Sequence, residues 1–218
     1  MRLHLKTNPN NEPVPFDHLK YLVGTLHKWI GANTIHGDIS LYSFSWLRGA
    51  TVKNGALSFP KGASWFISSY DNQLLKKVIE TVTNSPKIRF GLDVNKVHLQ
   101  ENPVFKTEHK FLLGSPALVK SNEGERIRHY LFNEDRTDFI LTQTLKSKMK
   151  KAGFDEKDVS VSFDKNYHKP RTKLVDYNGI KNRANYCPVI IKGDPDAISF
   201  AWDVGVGNST GIGFGSLN

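Results

Sequence analysis

The sequence predicts an α+β protein built from two tandem ferredoxin-like βαββαβ domains, and three observations carry that expectation. Strand-like and helix-like runs follow the order β-α-β-β-α-β over about the first hundred residues, and the second half can be read the same way. The 218-residue length suits one large domain or two small ones. An apolar content of 39% is enough for real cores. The expected division is 1–104 and 105–218, with the join inside 101–108.

The elements are justified in order. Residues 1–7, MRLHLKT, alternate apolar and polar side chains, as a half-buried strand does. Over 15–31, Phe16, Leu19, Leu22, Val23, Leu26 and Ile30 recur at three- and four-residue steps, and Gly31 stops the helix. SLYSFSWL (40–47) reads as a strand, TVKNGALSF (51–59) as a hairpin turning at Asn54–Gly55, and ASWFISSY (63–70) as a further strand. A helix over 71–85 takes Asp71 or Asn72 as its cap, and 87–100 is strand-like.

In the second half, HKFLLGS (109–115) is a strand and 137–153 a helix ended by Gly153. Strands follow at 159–164, 172–178 and 184–193. A short helix over 194–205 has Asp194 as N-cap and Pro195 in its first turn. A last strand is expected at about 211–217.

Composition excludes several classes. No apolar run approaches the roughly 18 residues of a membrane span, so no membrane partner is expected. MRLHLKTNPNNEPVPF lacks the apolar stretch of a secretory signal, which fits a cytoplasmic protein. Cys187 is the single cysteine, so an intramolecular disulfide and a cysteine-based zinc site are excluded. The net charge of +9 favours a polyanionic partner, most often nucleic acid.

Two stretches attract attention. The chain ends GVGNSTGIGFGSLN, with Gly205, Gly207, Gly211, Gly213 and Gly215 in eleven residues. No lysine follows as in a Walker loop, and only three residues follow Gly215, so no helix and strand complete a dinucleotide fold. What remains is a loop between the last helix and strand, with Asn208, Ser209 and Thr210 at its tip: a tight turn or a close backbone contact. The second stretch, 165–192, has seven cations and one acid, Asp176. Lys169, Arg171, Lys173, Lys181 and Arg183 alternate there with Tyr167, His168, Tyr177 and Tyr186. Cations meet phosphates and rings stack on unpaired bases, but a solvated hairpin has the same composition.

Taken together, the doubled βαββαβ pattern, the HGDISLYSFSWLRG stretch after the first helix and the terminal GVGNSTGIGFG resemble the CRISPR-associated endoribonucleases that process precursor CRISPR RNA. These belong to the repeat-associated mysterious protein superfamily. The resemblance spans essentially the whole chain, and the glycine motif is its most specific part. It implies RNA-recognition-motif-like domains and metal-independent cleavage within the CRISPR repeat. A 2′-hydroxyl would attack the adjacent phosphate and leave a 2′,3′-cyclic phosphate and a 5′-hydroxyl. No cofactor or metal is implied. CRISPR repeat RNA is the implied partner, with other effector subunits and a homodimer as further candidates.

The resemblance also orders the candidate residues. His36, in ANTIHGD, matches the family's catalytic histidine, and imidazole suits proton transfer near neutral pH. Tyr21 faces away from the apolar side of its helix and matches a tyrosine that some members pair with that histidine. Some members carry a lysine soon after the histidine; here Ser40, Leu41 and Tyr42 stand in that region. Arg48, Lys53 and Lys28 are the candidates to replace its charge. RNA contacts are expected from Arg48, Lys53, Lys169, Arg171, Lys173, Lys181 and Arg183. The loop would add Gly205, Gly207, Asn208, Ser209, Gly211 and Gly213. Tyr42, Phe44 and Trp46 share one strand face and are expected to pack under helices rather than to stack on bases. The missing lysine keeps a second reading open: a catalytically silent RNA-binding subunit of a CRISPR effector complex.

Overall fold

The alternation in residues 1–7 does place a strand at the middle of a sheet. The computed structural model describes residues 1–31, 39–154 and 158–218. In it β1 (Arg2–Thr7) turns Leu3 and Leu5 to one face and Arg2, His4 and Lys6 to the other. The first half continues with α1 (Leu19–Ile30), β2 (Tyr42–Phe44), β3 (Thr51–Lys53), β4 (Ala56–Ser58), β5 (Ser64–Ser69), α2 (Asn72–Asn84), β6 (Lys87–Arg89) and β7 (Leu92–Gln100). The antiparallel sheet has the order β2-β5-β1-β7-β6. Setting aside the short β6, that is the ferredoxin-like permutation of four strands. Leu22, Val23 and Leu26 of α1 and Leu74, Leu75 and Val78 of α2 pack with Leu3, Leu5, Trp65 and Ile67 in one core. β3 and β4 form a separate hairpin whose turn residues, Asn54 and Gly55, both have positive φ.

The second half runs β8 (Glu108–Phe111), β9 (Lys120–Glu123), β10 (Arg126–His129), α3 (Asp135–Lys151), β11 (Val159–Phe163), β12 (Arg171–Tyr177), β13 (Ile180–Tyr186), β14 (Val189–Gly193) and α4 (Pro195–Val204). Strands β11, β14 and β8 form the sheet, and the bridge Leu113–Leu217 lays the chain's end beside the β8 side. A second core gathers Phe111, Leu141, Leu145, Val161, Val189, Ile191 and Ile198. The protein is therefore α+β with tandem ferredoxin-like units. No described helix is long and apolar enough to cross a membrane.

The predicted caps stand: the Asp71 carboxylate accepts from Gln73 N–H at 2.8 Å and Asp194 from Asp196 N–H at 2.8 Å. Four expectations need correction. The expected last strand, 211–217, is a 3₁₀ turn at Thr210–Ile212 followed by the single bridge at Leu217, because positive φ at Ser209, Gly213 and Gly215 breaks extension. The expected strand 184–193 divides at Cys187–Pro188 into β13 and β14, which lie in different sheets, and Pro188 has no N–H to give a ladder. Residues 87–100 hold a hairpin turning at Phe90 and Gly91, not one strand. The β9–β10 hairpin, turning at Gly124 and Glu125, has no counterpart among the expected elements.

The two units meet where α4 crosses the open face of the first sheet. The Arg2 guanidinium lies between the rings of Phe66 (3.9 Å) and Trp202 (3.3 Å) and donates to Leu217 O at 2.8 Å. One joint thus draws on β1, β5, α4 and the last residues of the chain.

Candidate nucleic-acid interface

Strand β2 lies at the edge of the first sheet, and the glycine-rich tail wraps round it. On one side Tyr42 Oη donates to Gly211 O at 3.2 Å and Trp46 Nε1 to Gly213 O at 2.8 Å. On the other side Ser43 Oγ donates to Asp203 O at 3.2 Å, just before the loop begins. The aromatic face is thus packed, as expected, and what it grips is the glycine loop. Burial pushes the Tyr42 hydroxyl up to about 12, so it stays protonated near neutral pH.

Most of the glycines serve this wrap. Gly205, Gly207, Gly211 and Gly213 are buried. A Cβ on Gly205 would stand 2.6 Å from Gly215 O, one on Gly207 2.5 Å from Leu118 O, and one on Gly213 2.6 Å from Leu19 Cδ1. The loop tip differs. Asn208 and Ser209 are half-buried, and Asn208 Oδ1 accepts from Lys120 N–H at 2.8 Å. Ser209 is left-handed (φ 61°, ψ 34°) and leads into the 3₁₀ turn. The N–H groups of Ser209, Thr210 and Gly211 find no acceptor among the described residues. Consecutive amides turned this way form an anion-binding nest.

The tip opens on a cleft of about 380 Å³ lined by Ile39, Ser40, Thr144, Ser147, Lys148 and residues 207–210. Ile39 and Ser40 are the first described residues after segment 32–38, and Lys151 Nζ holds Ile39 O at 2.8 Å. His36 itself lies outside the described residues.

The basic stretch divides between the two faces of the β12–β13 hairpin. The register pairs Arg171 with Tyr186 and Lys173 with Ala184, while Lys181 pairs with Asp176 and Arg183 with Leu174 on the opposite face. The first face leans on the N-terminal unit: Lys173 Nζ is 4.4 Å from the centre of the Trp46 ring, and Arg171 lies 5.5 Å from that of Tyr186. Burial lowers Lys173, and the neighbouring Arg171 lowers it further. Lys169 and Arg171 line a cleft of about 310 Å³ with Tyr167, Tyr186 and Leu112. Arg48 joins this region through Asn218 Oδ1 (2.8 Å) and interacts electrostatically with Tyr186. On the second face, burial holds the His129 imidazole below its usual range, and the charges of Lys120 and Arg183 lower it further. Lys53 is apart from both groups, exposed on the β3–β4 hairpin.

Tyr21 also stands apart from the loop. Leu19 meets Gly213; Tyr21, about 200° further round α1, packs edge-on to Phe90 with ring centres 5.1 Å apart. It lines a cleft of about 710 Å³ with Lys20, Lys28, Lys87 and Arg89.

One residue at the loop escaped sequence reasoning. Lys148 is 4% exposed, and its Nζ donates to Val204 O (3.0 Å), Gly205 O (3.1 Å) and Thr210 Oγ1 (3.1 Å). Burial pushes its ammonium down to about 7. Its signal was its position: Leu141, Leu145, Lys148 and Met149 fall on one helical stripe, so a lysine occupies a core site.

Fold and surface together define a tandem ferredoxin-like protein with a C-terminal glycine clasp and a basic, aromatic-flanked hairpin. Residues 100–218, more than half of the chain, match the family model for CRISPR associated protein Cas6, C-terminal. The chain belongs to the Cas6 family. It is 24% identical over 237 residues to the CRISPR-associated endoribonuclease Cas6 1 of Methanocaldococcus jannaschii, spanning 100% of this chain and 92% of that one. Similar folds include a CRISPR associated protein Cas6 (TM-score 0.84, 22% identity, 100% and 98% of the two chains). A Cas6-related protein from Pyrococcus furiosus gives a TM-score of 0.85 at 19% identity over 100% and 97%. An RAMP protein described as binding different RNA substrates gives 0.83 at 20% over 100% and 98%.

Proposed function

We propose that this chain is an endoribonuclease that cuts precursor CRISPR RNA within its repeats, without a metal, by attack of a 2′-hydroxyl on the adjacent phosphate. The observation that carries the reading is the cleft at the glycine-loop tip. Ser209 and Thr210, whose N–H groups have no acceptor among the described residues, line it, and the chain enters the same cleft at Ile39 directly after the segment bearing His36. Preorganised N–H groups are suited to phosphate oxygens whose charge grows in the transition state. We divide the chain at 104/105, the first domain bringing the histidine and the second the loop and the hairpin.

In this mechanism His36 moves a proton at the 2′-oxygen or at the leaving 5′-oxygen. The tip, through Asn208 and Ser209, holds backbone phosphate, and Gly205, Gly207, Gly211 and Gly213 keep it in shape. Lys169, Arg171 and Arg48, with Tyr186, receive one stretch of RNA; Lys181 and Arg183 receive another on the hairpin's far face, and Lys53 is an outlying contact. Lys173, leaning on Trp46, links the hairpin to the loop's support. Tyr21 acts from the cleft on the other side of α1, so RNA there would have to pass across the helix. Tyr21→Phe tests this: a catalytic hydroxyl predicts slower cutting at unchanged affinity, and an unchanged rate removes the role.

A second reading is a silent RNA-binding subunit, and one observation favours it. The region where some members carry a lysine holds Tyr42, whose hydroxyl is committed to Gly211 O. Labelled repeat RNA incubated with protein and EDTA separates the readings, with a copy carrying 2′-deoxyribose at the scissile position as control. Site-specific cutting of the first and not of the second supports the enzyme. Both RNAs bound but intact would establish the silent subunit.

A further inference from the structure

Lys148 is a buried ammonium that this chemistry does not use. Among the described residues no carboxylate takes its protons; they go to oxygens of one short path, at the end of α4 (Val204), at the loop entry (Gly205) and at the 3₁₀ turn (Thr210). A cation without a carboxylate is costly inside a protein and persists where its surroundings use it. Two of these oxygens belong to the C-terminal end of α4, where the helix dipole favours positive charge. The third fixes Thr210. Because Thr210 Oγ1 accepts from Lys148, its own O–H remains to donate, and no described residue accepts it.

We propose that Lys148 is a positioning residue for RNA. By tying Val204 and Gly205 to Thr210, it holds the loop so that the N–H groups of Ser209, Thr210 and Gly211 and the Thr210 hydroxyl converge on one backbone phosphate. This rests on the reading of the loop tip as an RNA contact. The groups around Lys148 are nearly all neutral. Thr144 and Ser147 of α3 and Ser40 line the same cleft, and Thr210 faces it from the loop. Among the described residues, the charged neighbours are Lys151, whose Nζ is bonded to Ile39 O, and Asp203 of α4, whose carboxylate is taken by Asn102 and the N-terminal amine. A deprotonated amine would offer two N–H groups to three oxygens, so the brace loosens as pH rises through about 7.

The test uses the full chain, a repeat RNA blocked by 2′-deoxyribose, and two variants, Lys148→Met and Lys148→Gln. Backbone amide NMR and RNA affinity are read at pH 6 and 8.5, and thermal melting checks folding. In the wild type the Ser209–Gly211 amides should shift on RNA addition, and affinity should fall about fivefold between the two pH values. Lys148→Met should bind about tenfold more weakly at pH 6 with a flatter pH profile, the loss expected for hydrogen bonds from a charged group. Lys148→Gln, which keeps two donors, should recover part of the affinity, also with a flat profile. If Lys148→Met does not fold, the Lys148→Gln comparison decides. A folded variant with wild-type affinity and wild-type pH profile overturns the proposal while the loop reading stands, provided the wild-type amides shift. Amides that do not respond to RNA in the wild type overturn the loop reading and the proposal together.

Discussion

Gly207→Ala should destabilise the protein by about 2–5 kcal/mol, and the structure gives both parts of that figure. Gly207 has φ 72°, where an alanine costs about 1–2 kcal/mol. Its Cβ would stand 2.5 Å from Leu118 O. That oxygen is backbone and already accepts from Asn208 N–H at 2.8 Å, so it cannot yield cheaply. Overpacking of this kind adds about 1–3 kcal/mol. In a chain of this length 1 kcal/mol moves the melting temperature by about 2–4 °C, so a fall of roughly 4–20 °C is expected. Calorimetry on the two proteins measures it. Gly211→Ala is the internal contrast: Gly211 is not left-handed and its nearest obstacle is Ser40 Oγ, which can rotate away while Ser40 Cβ stays 2.9 Å off, so its loss should be smaller and should shrink in part beside Ser40→Ala. A Gly207→Ala melting temperature within about 2 °C of wild type would refute the view that these glycines serve the clasp.

Other expectations follow from the same geometry. Lys181→Ala with Arg183→Ala should lower the slope of log affinity against log salt by about 1.4, roughly 0.7 for each phosphate of single-stranded RNA that is no longer neutralised. A salt titration with repeat RNA reads it; an unchanged slope places that face outside the RNA path. Trp46→Phe removes the bond to Gly213 O and should cost about 1 kcal/mol in denaturant unfolding, with no cost if the clasp does not depend on it. Lys148 also predicts a pH effect on stability. Its ammonium is held at about 7 when folded against an ordinary 10.5, so the penalty of the buried charge is full below 7 and is relieved between 7 and 10.5. The wild type should therefore gain stability relative to Lys148→Met as pH rises across that window, while its RNA affinity falls. A stability difference that is constant with pH would contradict this.

Much of the fold is legible in the sequence because local chemistry and tertiary packing agree. Asp71 and Asp194 look like caps and are caps, and Asn54–Gly55 looks like a hairpin turn and is one. The failures have particular causes. Pro188 interrupts what apolar content alone reads as one strand. Phe16 continues the periodicity of α1 but precedes it and is 56% exposed. The glycine tail reads either as a tight turn or as a close backbone contact; that most of its glycines make room for Leu118, Phe44 and the backbone of Gly215 depends on distant segments that leave no local trace. Lys148 stands among Lys146, Lys150 and Lys151, and only its phase on the helix separates it from them. The division of the basic hairpin into two faces follows from the period of two, but which face meets the N-terminal unit depends on Trp46, far away in sequence.

The most direct test of the central claim is single-turnover cleavage of repeat RNA by His36→Ala, with affinity measured on the same preparations. Loss of a proton carrier predicts a rate reduced by about 10²–10⁴-fold, with dissociation constants within about threefold of wild type. Cutting at the wild-type rate by His36→Ala would contradict the account.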